Sequence, residues 1–352
     1  MKILFVMEHR VNAGNTHAVA TYSRVAEQFG HTVAFYGPPQ AGMAGAKFAA
    51  DPREFDRVIY LIESKLYRVS RLMEVAMLAS VPRPHRWVLD ADARYNPVIV
   101  VDGYDRNYLS EDERAEYLRF YDALAEHIIK PTLAPAVDPR VTTLPFFGFD
   151  PALVVSAPSA PPKQYDVLHV GHNWWRWKEV KEQLLPALEQ VRDHVGEIGF
   201  AGMWWDELPE WAAAAGLEPA LRNEADAFRR LRIRVDPPVP YSAVIRKMSS
   251  GRVNIFTQRP VLAHLKHLTG RYFEEFCADT VPLLMLESDF AEEVYGPAAR
   301  ELTLPGRVAE KLLDALQRPD HYRGIVEEVR RHLIAYHSYS RRLAELVAAL
   351  DE

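Results

Sequence analysis

Cysteine and long apolar runs are almost absent from this chain. Cys277 is the only cysteine among 352 residues, which excludes an intrachain disulfide and a cysteine metal cluster and fits a reducing cytoplasm. No stretch approaches the roughly 20 apolar residues of a membrane-spanning helix. The apolar start at residues 1–7 is too short for a signal peptide. We therefore expect a soluble, cytoplasmic protein without a transmembrane segment.

A positive charge surplus and one glycine motif are also missing. Lys and Arg number 42 against 48 Asp and Glu, a formal net charge of −6, whereas nucleic-acid binders usually carry a basic surplus. We therefore expect no dedicated nucleic-acid binding. The loop after the first apolar run lacks Gly-x-Gly-x-x-Gly, which disfavours a Rossmann dehydrogenase.

Apolar runs that alternate with helical patterns predict an α/β protein built from parallel sheets. The predicted strands are residues 2–7, 32–36, 57–62, 86–89, 98–101 and 141–144, and then 165–170, 198–201, 253–256 and 282–286. The predicted helices are residues 16–29, 178–194 with an interruption at Pro186, 308–317, 321–337 and 340–350. A proline-rich stretch at 156–163 separates the two series, and the length of the chain favours two domains.

We therefore predict two Rossmann-like doubly wound domains. The N-terminal domain covers 1–155, a linker 156–164 and the C-terminal domain 165–335. We expect a C-terminal helix at 336–352 to pack back on the first domain.

The segment 269–276 predicts a helix that begins at a small-residue turn and precedes a buried strand. The free backbone N–H groups of Thr269, Gly270 and Arg271 suit a phosphate. Glu274, one turn later, is placed to hold a sugar hydroxyl of the same ligand. This is the local chemistry of a nucleotide-sugar site.

Six tryptophans crowd into residues 174–211 of the second half. One interpretation is that they build its core and the interdomain edge. The other is that they form a wall for a ring-shaped ligand, because aromatic faces suit sugars and bases. The six are Trp174, Trp175, Trp177, Trp204, Trp205 and Trp211.

The second half also carries an ordered series of short motifs. It consists of Gly171-His172, Arg176 and Lys178, residues 253–259, Arg271-Tyr-Phe-Glu274, Pro282-Leu-Leu, residues 292–295, Pro319-Asp320 and residues 337–342. Over about residues 165–346 this series resembles the CgeB-like (spore-maturation-type) glycosyltransferases, a branch of the group-1 glycosyltransferases with the GT-B fold. The first half resembles them only in architecture and in the run 144–151.

The resemblance implies a nucleotide-sugar donor, UDP- or GDP-linked, held mainly by the second domain, with the acceptor on the first. Glu274 matches the acid expected on the donor ribose, and residues 269–271 match the turn whose amides take the diphosphate. Two positions depart from the pattern: Lys266 replaces an expected acid, and Asp279 replaces a glycine. Because position 266 is a lysine, the family's glutamate contact with the sugar itself has weaker support in this chain.

Departure of a diphosphate requires positive charge near the leaving oxygen. Four basic side chains could supply this charge: those of Arg176, Lys178, Arg259 and Arg271. Each of them also suits a surface salt bridge. Tyr241 could stack on the base or pack on the domain edge. The full donor-site prediction is Gly14, Gly171, His172, Arg176, Lys178, Tyr241, Arg259, Thr269, Gly270, Arg271 and Glu274.

Three residues of the first domain are candidates for the catalytic base. His17 follows the loop that contains Gly14, and histidine titrates closest to neutrality. Asp102 and Asp105 follow the predicted strand 98–101, at the expected cleft. An alternative for the Gly14 loop is an ordinary capped helix start.

No metal site and no cofactor beyond the donor are predicted. Asp90-Ala91-Asp92 has the carboxylate spacing that holds Mn²⁺ or Mg²⁺ in the other common glycosyltransferase architecture. In a chain with two α/β halves, an acidic turn at a strand exit is the favoured interpretation. We therefore expect metal-independent activity.

Glycosyl transfer from a nucleotide-diphosphate sugar is the leading functional prediction, with an unidentified acceptor. A sugar-nucleotide epimerase could share the donor residues without an acceptor site. A non-catalytic nucleotide- or glycan-binding protein could use the aromatic cluster alone. The sequence leaves the sugar, the nucleotide and the stereochemical outcome open.

Overall fold

Two parallel β-sheets form the framework of the protein. The computed structural model describes residues 1–10, 12–40, 43, 45–61, 80–101, 105–106, 110–136, 138–222 and 225–351. Within these residues one sheet has seven strands and the other has five. Every neighbouring pair in both sheets is parallel, as the alternating pattern predicts.

The first sheet has the strand order β3-β2-β1-β4-β5-β8-β9. Its central strands are buried on both faces, which explains their continuous apolar sequences. The described strands of this half are β1 Lys2–Val6, β2 Thr32–Tyr36, β3 Phe48–Ala49, β4 Arg57–Leu61, β5 Arg86–Leu89, β6 Val100–Val101, β7 Asp105–Arg106, β8 His127–Lys130 and β9 Val141–Thr143.

The prediction that residues 98–101 form a strand of the parallel sheet is wrong. Val100–Val101 instead pairs antiparallel with Asp105–Arg106 in a separate two-stranded ribbon. Val100 is 54% exposed, whereas a strand inside a parallel sheet is covered on both faces. Ile62, the last residue of another predicted strand, lies outside the described residues.

The second sheet has the order β12-β11-β10-β13-β14. The chain adds β11 and β12 on one side of β10, and then returns to add β13 and β14 on the other. The direction of winding therefore switches between β10 and β13. These strands are β10 Tyr165–Val170, β11 Ile198–Ala201, β12 Ile233–Asp236, β13 Gly251–Phe256 and β14 Val281–Leu284.

Helices connect the strands and cover the sheets. In the described residues they are α1 Gly14–Ala26, α2 Glu111–Leu124, α3 Trp177–Glu179, α4 Leu185–Val191, α5 Glu210–Ala214, α6 Glu218–Leu221, α7 Ala225–Arg230, α8 Val244–Met248, α9 Pro260–His264, α10 Arg271–Glu274, α11 Ser288–Tyr295, α12 Val308–Gln317, α13 Pro319–His337 and α14 Tyr339–Asp351. A π-helical segment, Val180–Leu184, joins α3 to α4 ahead of Pro186, where an ordinary helix would lose a hydrogen bond. None of the described helices has the length and apolar character to cross a membrane.

The last helix, α14, lies against α1 of the first sheet's domain. At the crossing, the Phe149 N–H donates to the His337 carbonyl oxygen at 2.7 Å. A Cβ on Gly148 would lie 2.9 Å from that same oxygen, so only glycine fits. The ring of Tyr339 meets Tyr22 edge-on, with centroids 5.3 Å apart. The chain therefore closes on its own first domain.

Candidate functional site

A cavity of about 620 Å³ opens at the carboxyl ends of the second sheet. In open parallel sheets, ligands bind in the crevice at these ends, where the winding switches direction. The cavity is lined by the carboxyl ends of three strands and the residues that follow them: 169–171 at β10, 201–202 at β11 and 256–257 at β13. The first domain adds Arg10 and Asn12. The location is that of a ligand site held mainly by the second domain.

Two glycines let the ends of β10 and β11 approach each other. Gly202 has a φ of +152°, and a Cβ there would lie 2.1 Å from the carbonyl oxygen of Gly171. Only glycine tolerates this conformation and distance. The same carbonyl oxygen accepts a hydrogen bond from Trp205 Nε1 at 2.7 Å. Gly171, a predicted donor-site residue, also lines the cavity.

Two arginines of the second domain, Arg176 and Arg271, line the cavity together with Arg10 of the first domain. The Arg176 guanidinium donates to the carbonyl oxygen of His172 at 2.9 Å and to that of Thr257 at 3.4 Å. Arg271 Nε lies 3.5 Å from Glu274 Oε2. Burial, and next the charge of Arg271, lower the pKa of Arg176 to about 10, so it remains protonated at neutral pH. Two cations that repel each other in one cavity favour an anionic ligand.

Two neutral histidines line the cavity and offer opposite hydrogen-bonding groups. His172 Nδ1 accepts from the backbone N–H of Met203 at 3.0 Å, which leaves the proton on Nε2. His169 Nδ1 lies 2.9 Å from the carbonyl oxygen of Ile255, so its proton is on Nδ1. Burial and the nearby arginines lower the pKa of His172 to about 4. The pKa of His169 falls to about 3, with burial as the largest cause.

Glu275 is a buried carboxyl group that also lines the cavity. Its Oε2 accepts a hydrogen bond from Asn254 Nδ2 at 2.6 Å. Burial raises the pKa of Glu275 to about 7, although Arg271 and Asn254 act in the opposite direction. The cavity therefore contains one acid whose charge changes near neutral pH.

We expect Glu275→Gln to stabilise the protein at pH 8 and to have little effect at pH 4.5. The folded-state pKa of about 7 exceeds the ordinary value of 4.5, so the folded state binds more protons between these values and loses stability as the pH rises. Above pH 7 the buried carboxylate costs about 3 kcal/mol. The neutral amide avoids this cost and can still accept from Asn254. Urea unfolding at both pH values measures the difference.

The exposed Glu207 provides a matched control, because Glu207→Gln removes a solvated carboxylate. An equal gain from Glu275→Gln at pH 4.5 and at pH 8 would show that ionisation of Glu275 has no part in it.

Tyr241 joins the two domains beside the cavity. Its ring stacks on His17 of α1, with centroids 4.1 Å apart and planes 17° apart. Its hydroxyl donates to Glu274 Oε1 at 2.5 Å. A Cβ on Gly14 would lie 3.6 Å from the Tyr241 ring. The structure therefore brings together four predicted site residues, two from each domain.

Three of the six clustered tryptophans line the cavity, and the other three are buried. Trp204 stands with its ring centroid 6.0 Å from that of Trp174 and 5.7 Å from that of Trp211. All three line the cavity, where an aromatic face suits a sugar or a base. The buried members of the cluster are Trp175, Trp177 and Trp205.

Thr269 and Gly270 do not line this cavity, whereas Arg271 does. The helix α10 has only four residues, so its dipole is small. A Cβ on Gly270 would lie 3.2 Å from Glu274 Oε1 and 3.4 Å from the Phe147 ring. Of the three residues of the predicted phosphate turn, Arg271 is the one that lines the cavity.

Lys178 lies in a different cavity, of about 530 Å³. It is two positions beyond Arg176, which is about 200° around a helix, so the two side chains face apart. Lys266, which stands where the family pattern expects an acid, lines this second cavity and pairs with Glu293 at 2.5 Å. The structure does not bring Lys178 to Arg271.

Asp105 and Arg259 form a buried link between the domains. Asp105 Oδ1 accepts from Arg259 Nε at 2.9 Å, and Oδ2 accepts from the Val261 N–H at 2.7 Å. The Arg259 guanidinium lies 5.7 Å from the centroid of the Trp175 ring. Both oxygens of this candidate base are therefore engaged, and Arg259 is not among the residues lining the cavity at the second sheet. Asp102 lies outside the described residues.

Asp90 organises a turn at the end of β5. Its carboxylate accepts from the backbone N–H groups of Arg94 and Tyr95, both at 2.7 Å, and from the Tyr121 hydroxyl at 3.0 Å. The interpretation of this acid as part of a strand-exit turn is confirmed. Among the residues that the structure describes, no group of three His, Cys, Asp or Glu is arranged to hold a metal ion.

Several lining residues escaped the sequence prediction. His169 is a polar residue at the end of an apolar strand, which was a usable signal. Glu275 adjoins the predicted Glu274, and only the fold shows that the second acid lines the cavity. Arg10 and Asn12 stand in the loop ahead of Gly14 and become recognisable only when the domains are assembled.

Comparison with solved structures defines the fold as GT-B. A T4 phage β-glucosyltransferase mutant in complex with UDP-glucose aligns with a TM-score of 0.59 and 13% identity, over 100% of both chains. An α-glucosyltransferase in complex with UDP and a 13-mer DNA aligns with a TM-score of 0.62 and 11% identity, again over 100% of both chains. At such identities the likeness establishes the architecture: two parallel-stranded α/β domains.

A sequence family described as glycosyl transferase-like matches residues 178–348, which include most of the second domain. No curated protein sequence matches the chain. The family match and the fold together support a GT-B glycosyltransferase.

Proposed function

We propose that the protein transfers a sugar from a nucleotide-diphosphate donor, UDP- or GDP-linked, to an acceptor. The observation that carries this proposal is the pair Arg176 and Arg271 in the cavity at the switch point of the second sheet. Cations fixed at this position stabilise a departing diphosphate. The glycosyl transferase-like match over residues 178–348 covers Arg271, and Arg176 lies two residues ahead of it.

We assign distinct roles to other residues that line the cavity and to Glu274, which is bound to the lining residue Tyr241. His172 Nε2–H donates to a phosphate oxygen, because its Nδ1 is already an acceptor. The tryptophan wall of Trp174, Trp204 and Trp211 covers a ring of the donor. Glu274, held by Tyr241, remains the candidate for a ribose hydroxyl.

The first domain supplies the acceptor side in this proposal. His17 is the candidate base there, because it is stacked on Tyr241 at the domain junction. We further propose that the domains span 1–155 and 165–335, that the protein is cytoplasmic, that the transferred sugar is a hexose, and that the chain belongs to the CgeB-like branch. An α-glucosyltransferase with this fold has been solved with DNA, so nucleic acid belongs in any acceptor screen.

We expect the activity to be metal-independent, because the arginines already carry the positive charge that a metal would supply. One T4 phage β-glucosyltransferase structure contains UDP and Mn²⁺, which makes the test necessary. Activity measured with excess EDTA should equal that of the untreated protein. Loss of activity that Mn²⁺ restores would contradict the expectation.

A thermal-shift screen tests the proposed donor. Nucleoside diphosphates and their sugar derivatives should raise the midpoint, because a ligand that binds the folded state stabilises it by mass action. Incubation with the stabilising donor alone then separates transfer from epimerisation: a transferase yields only slow hydrolysis, and an epimerase yields an isomeric donor. Absence of any shift with every diphosphate would contradict the proposal.

A further inference from the structure

The floor of the cavity contains a buried imidazole nitrogen with no partner among the described residues. His169 is 2% exposed and lines the cavity. Its Nδ1 lies 2.9 Å from the carbonyl oxygen of Ile255. Because a carbonyl oxygen only accepts hydrogen bonds, Nδ1 carries the proton and Nε2 presents a lone pair. His169 Nε2 has no hydrogen-bond partner in the described part of the chain.

The ring of His169 is fixed in place by aromatic packing. Trp205 packs edge-on against it, with centroids 5.1 Å apart and planes 85° apart. Phe200 lies 5.2 Å away by the same measure. An added Cβ on Gly171 would lie 3.3 Å from Nε2. Gly171 lines the cavity and has no side chain to stand between this nitrogen and the cavity.

The lone pair excludes a phosphate oxygen as the partner of His169 Nε2. Burial lowers the pKa of this ring to about 3, so Nε2 is an acceptor throughout the ordinary pH range. Diphosphate oxygens are also acceptors and cannot form this bond. The partner must donate, as a hydroxyl or an N–H does.

The position of the nitrogen identifies which ligand group donates. Thr257 also lines the cavity, and its buried Oγ1 has no partner among the described residues. Arg176 Nε lies 3.4 Å from the Thr257 carbonyl oxygen. The floor is therefore adjacent to the arginine assigned to the diphosphate. The donating groups nearest to the diphosphate of a nucleotide sugar are the hydroxyls of its ribose and of its transferred sugar.

We propose that His169 determines donor specificity by accepting, at Nε2, a hydrogen bond from a donor hydroxyl adjacent to the diphosphate. The proposal rests on the proposed function. Leaving a buried acceptor unpaired is costly, so a ligand that lacks this hydroxyl binds more weakly. Gly171 is required beside it because any side chain there would cover Nε2.

Two substitutions at His169 separate its two nitrogens. In His169→Asn the amide N–H can still donate to the Ile255 carbonyl oxygen, but the acceptor at the Nε2 position is lost. His169→Gln places an amide group near that position and serves as the conservative control. The titration probes are UDP, 2′-deoxy-UDP, 3′-deoxy-UDP and UDP-glucose, followed by the same set built on guanosine.

We expect His169→Asn to weaken binding of the probe that carries the recognised hydroxyl about 10-fold. The probe lacking that hydroxyl should bind both proteins equally, and His169→Gln should recover part of the loss. Loss with UDP but not with one deoxy form assigns the bond to the ribose. Loss with UDP-glucose but not with UDP assigns it to the transferred sugar.

Equal binding of every probe by wild type and His169→Asn would overturn the inference, as would an equal loss for every probe, which indicates a purely structural role. If the wild type binds none of the probes, the proposed function fails as well, so the two failures are distinguishable. The unsubstituted protein gives a second measurement: the ¹⁵N resonance of Nε2 should move upfield when the probe binds. An unmoved resonance in a saturated complex would also overturn the inference.

Discussion

Replacing Arg176 with glutamine is expected to lower kcat/KM for sugar transfer about 100-fold, the usual loss when one fixed donor at a developing negative charge is removed. The guanidinium is held by the carbonyl oxygen of His172 at 2.9 Å, so it meets the diphosphate already oriented. Arg271→Gln is expected to have a similar effect, because Arg271 lines the same cavity. Steady-state kinetics with the donor identified by the thermal-shift screen measures both losses.

Arg318→Gln is the matched control for these variants. Arg318 is exposed and pairs with Asp314 at 2.6 Å on the surface. It should change kcat/KM less than twofold. If Arg176→Gln binds and turns over the donor as the wild type does, the diphosphate is bound elsewhere.

Replacing Asp105 with asparagine is expected to lower the free energy of unfolding by about 3 kcal/mol. Asp105 is fully buried, and its carboxylate binds both Arg259 and the N–H of Val261. Burial lowers the pKa of Arg259, whereas Asp105 raises it. Removal of the acid therefore leaves a buried guanidinium without this compensating charge. Urea unfolding of the variant and the wild type measures the loss.

The double variant Asp105→Leu with Arg259→Met is the control for this prediction. Replacement of both members of a buried ion pair by apolar side chains is often neutral, whereas removal of one is costly. We therefore expect the double variant to recover most of the lost stability. A catalytic base would behave differently: Asp105→Asn would lower kcat and leave the unfolding free energy unchanged.

The second sheet could be predicted from sequence where its strands are apolar. The β10 strand is followed directly by Gly171, and β13 has four buried apolar or amide residues after Arg252. The β12 strand, Ile233–Asp236, escaped prediction because charged residues alternate with its two apolar ones. The β8 strand of the first sheet, His127–Lys130, also escaped prediction, because it has polar residues at both ends.

The proposed donor cavity was predictable in part, through Arg176 and Arg271 on either side of the switch point. Lys178 was expected in the same site, but the helical angle from Arg176 turns it away. The pairing of Asp105 with Arg259 joins residues 154 positions apart. Such long-range contacts depend on how the domains dock, and local patterns contain no information about docking.

A structure of the protein with the nucleotide diphosphate that stabilises it most would test the proposed donor site directly. We predict that diphosphate oxygens lie within hydrogen-bonding distance of the guanidinium groups of Arg176 and Arg271, in the cavity at the ends of β10 and β13. A nucleotide bound in the second cavity beside Lys178, with both arginines left without phosphate contacts, would contradict the assignment.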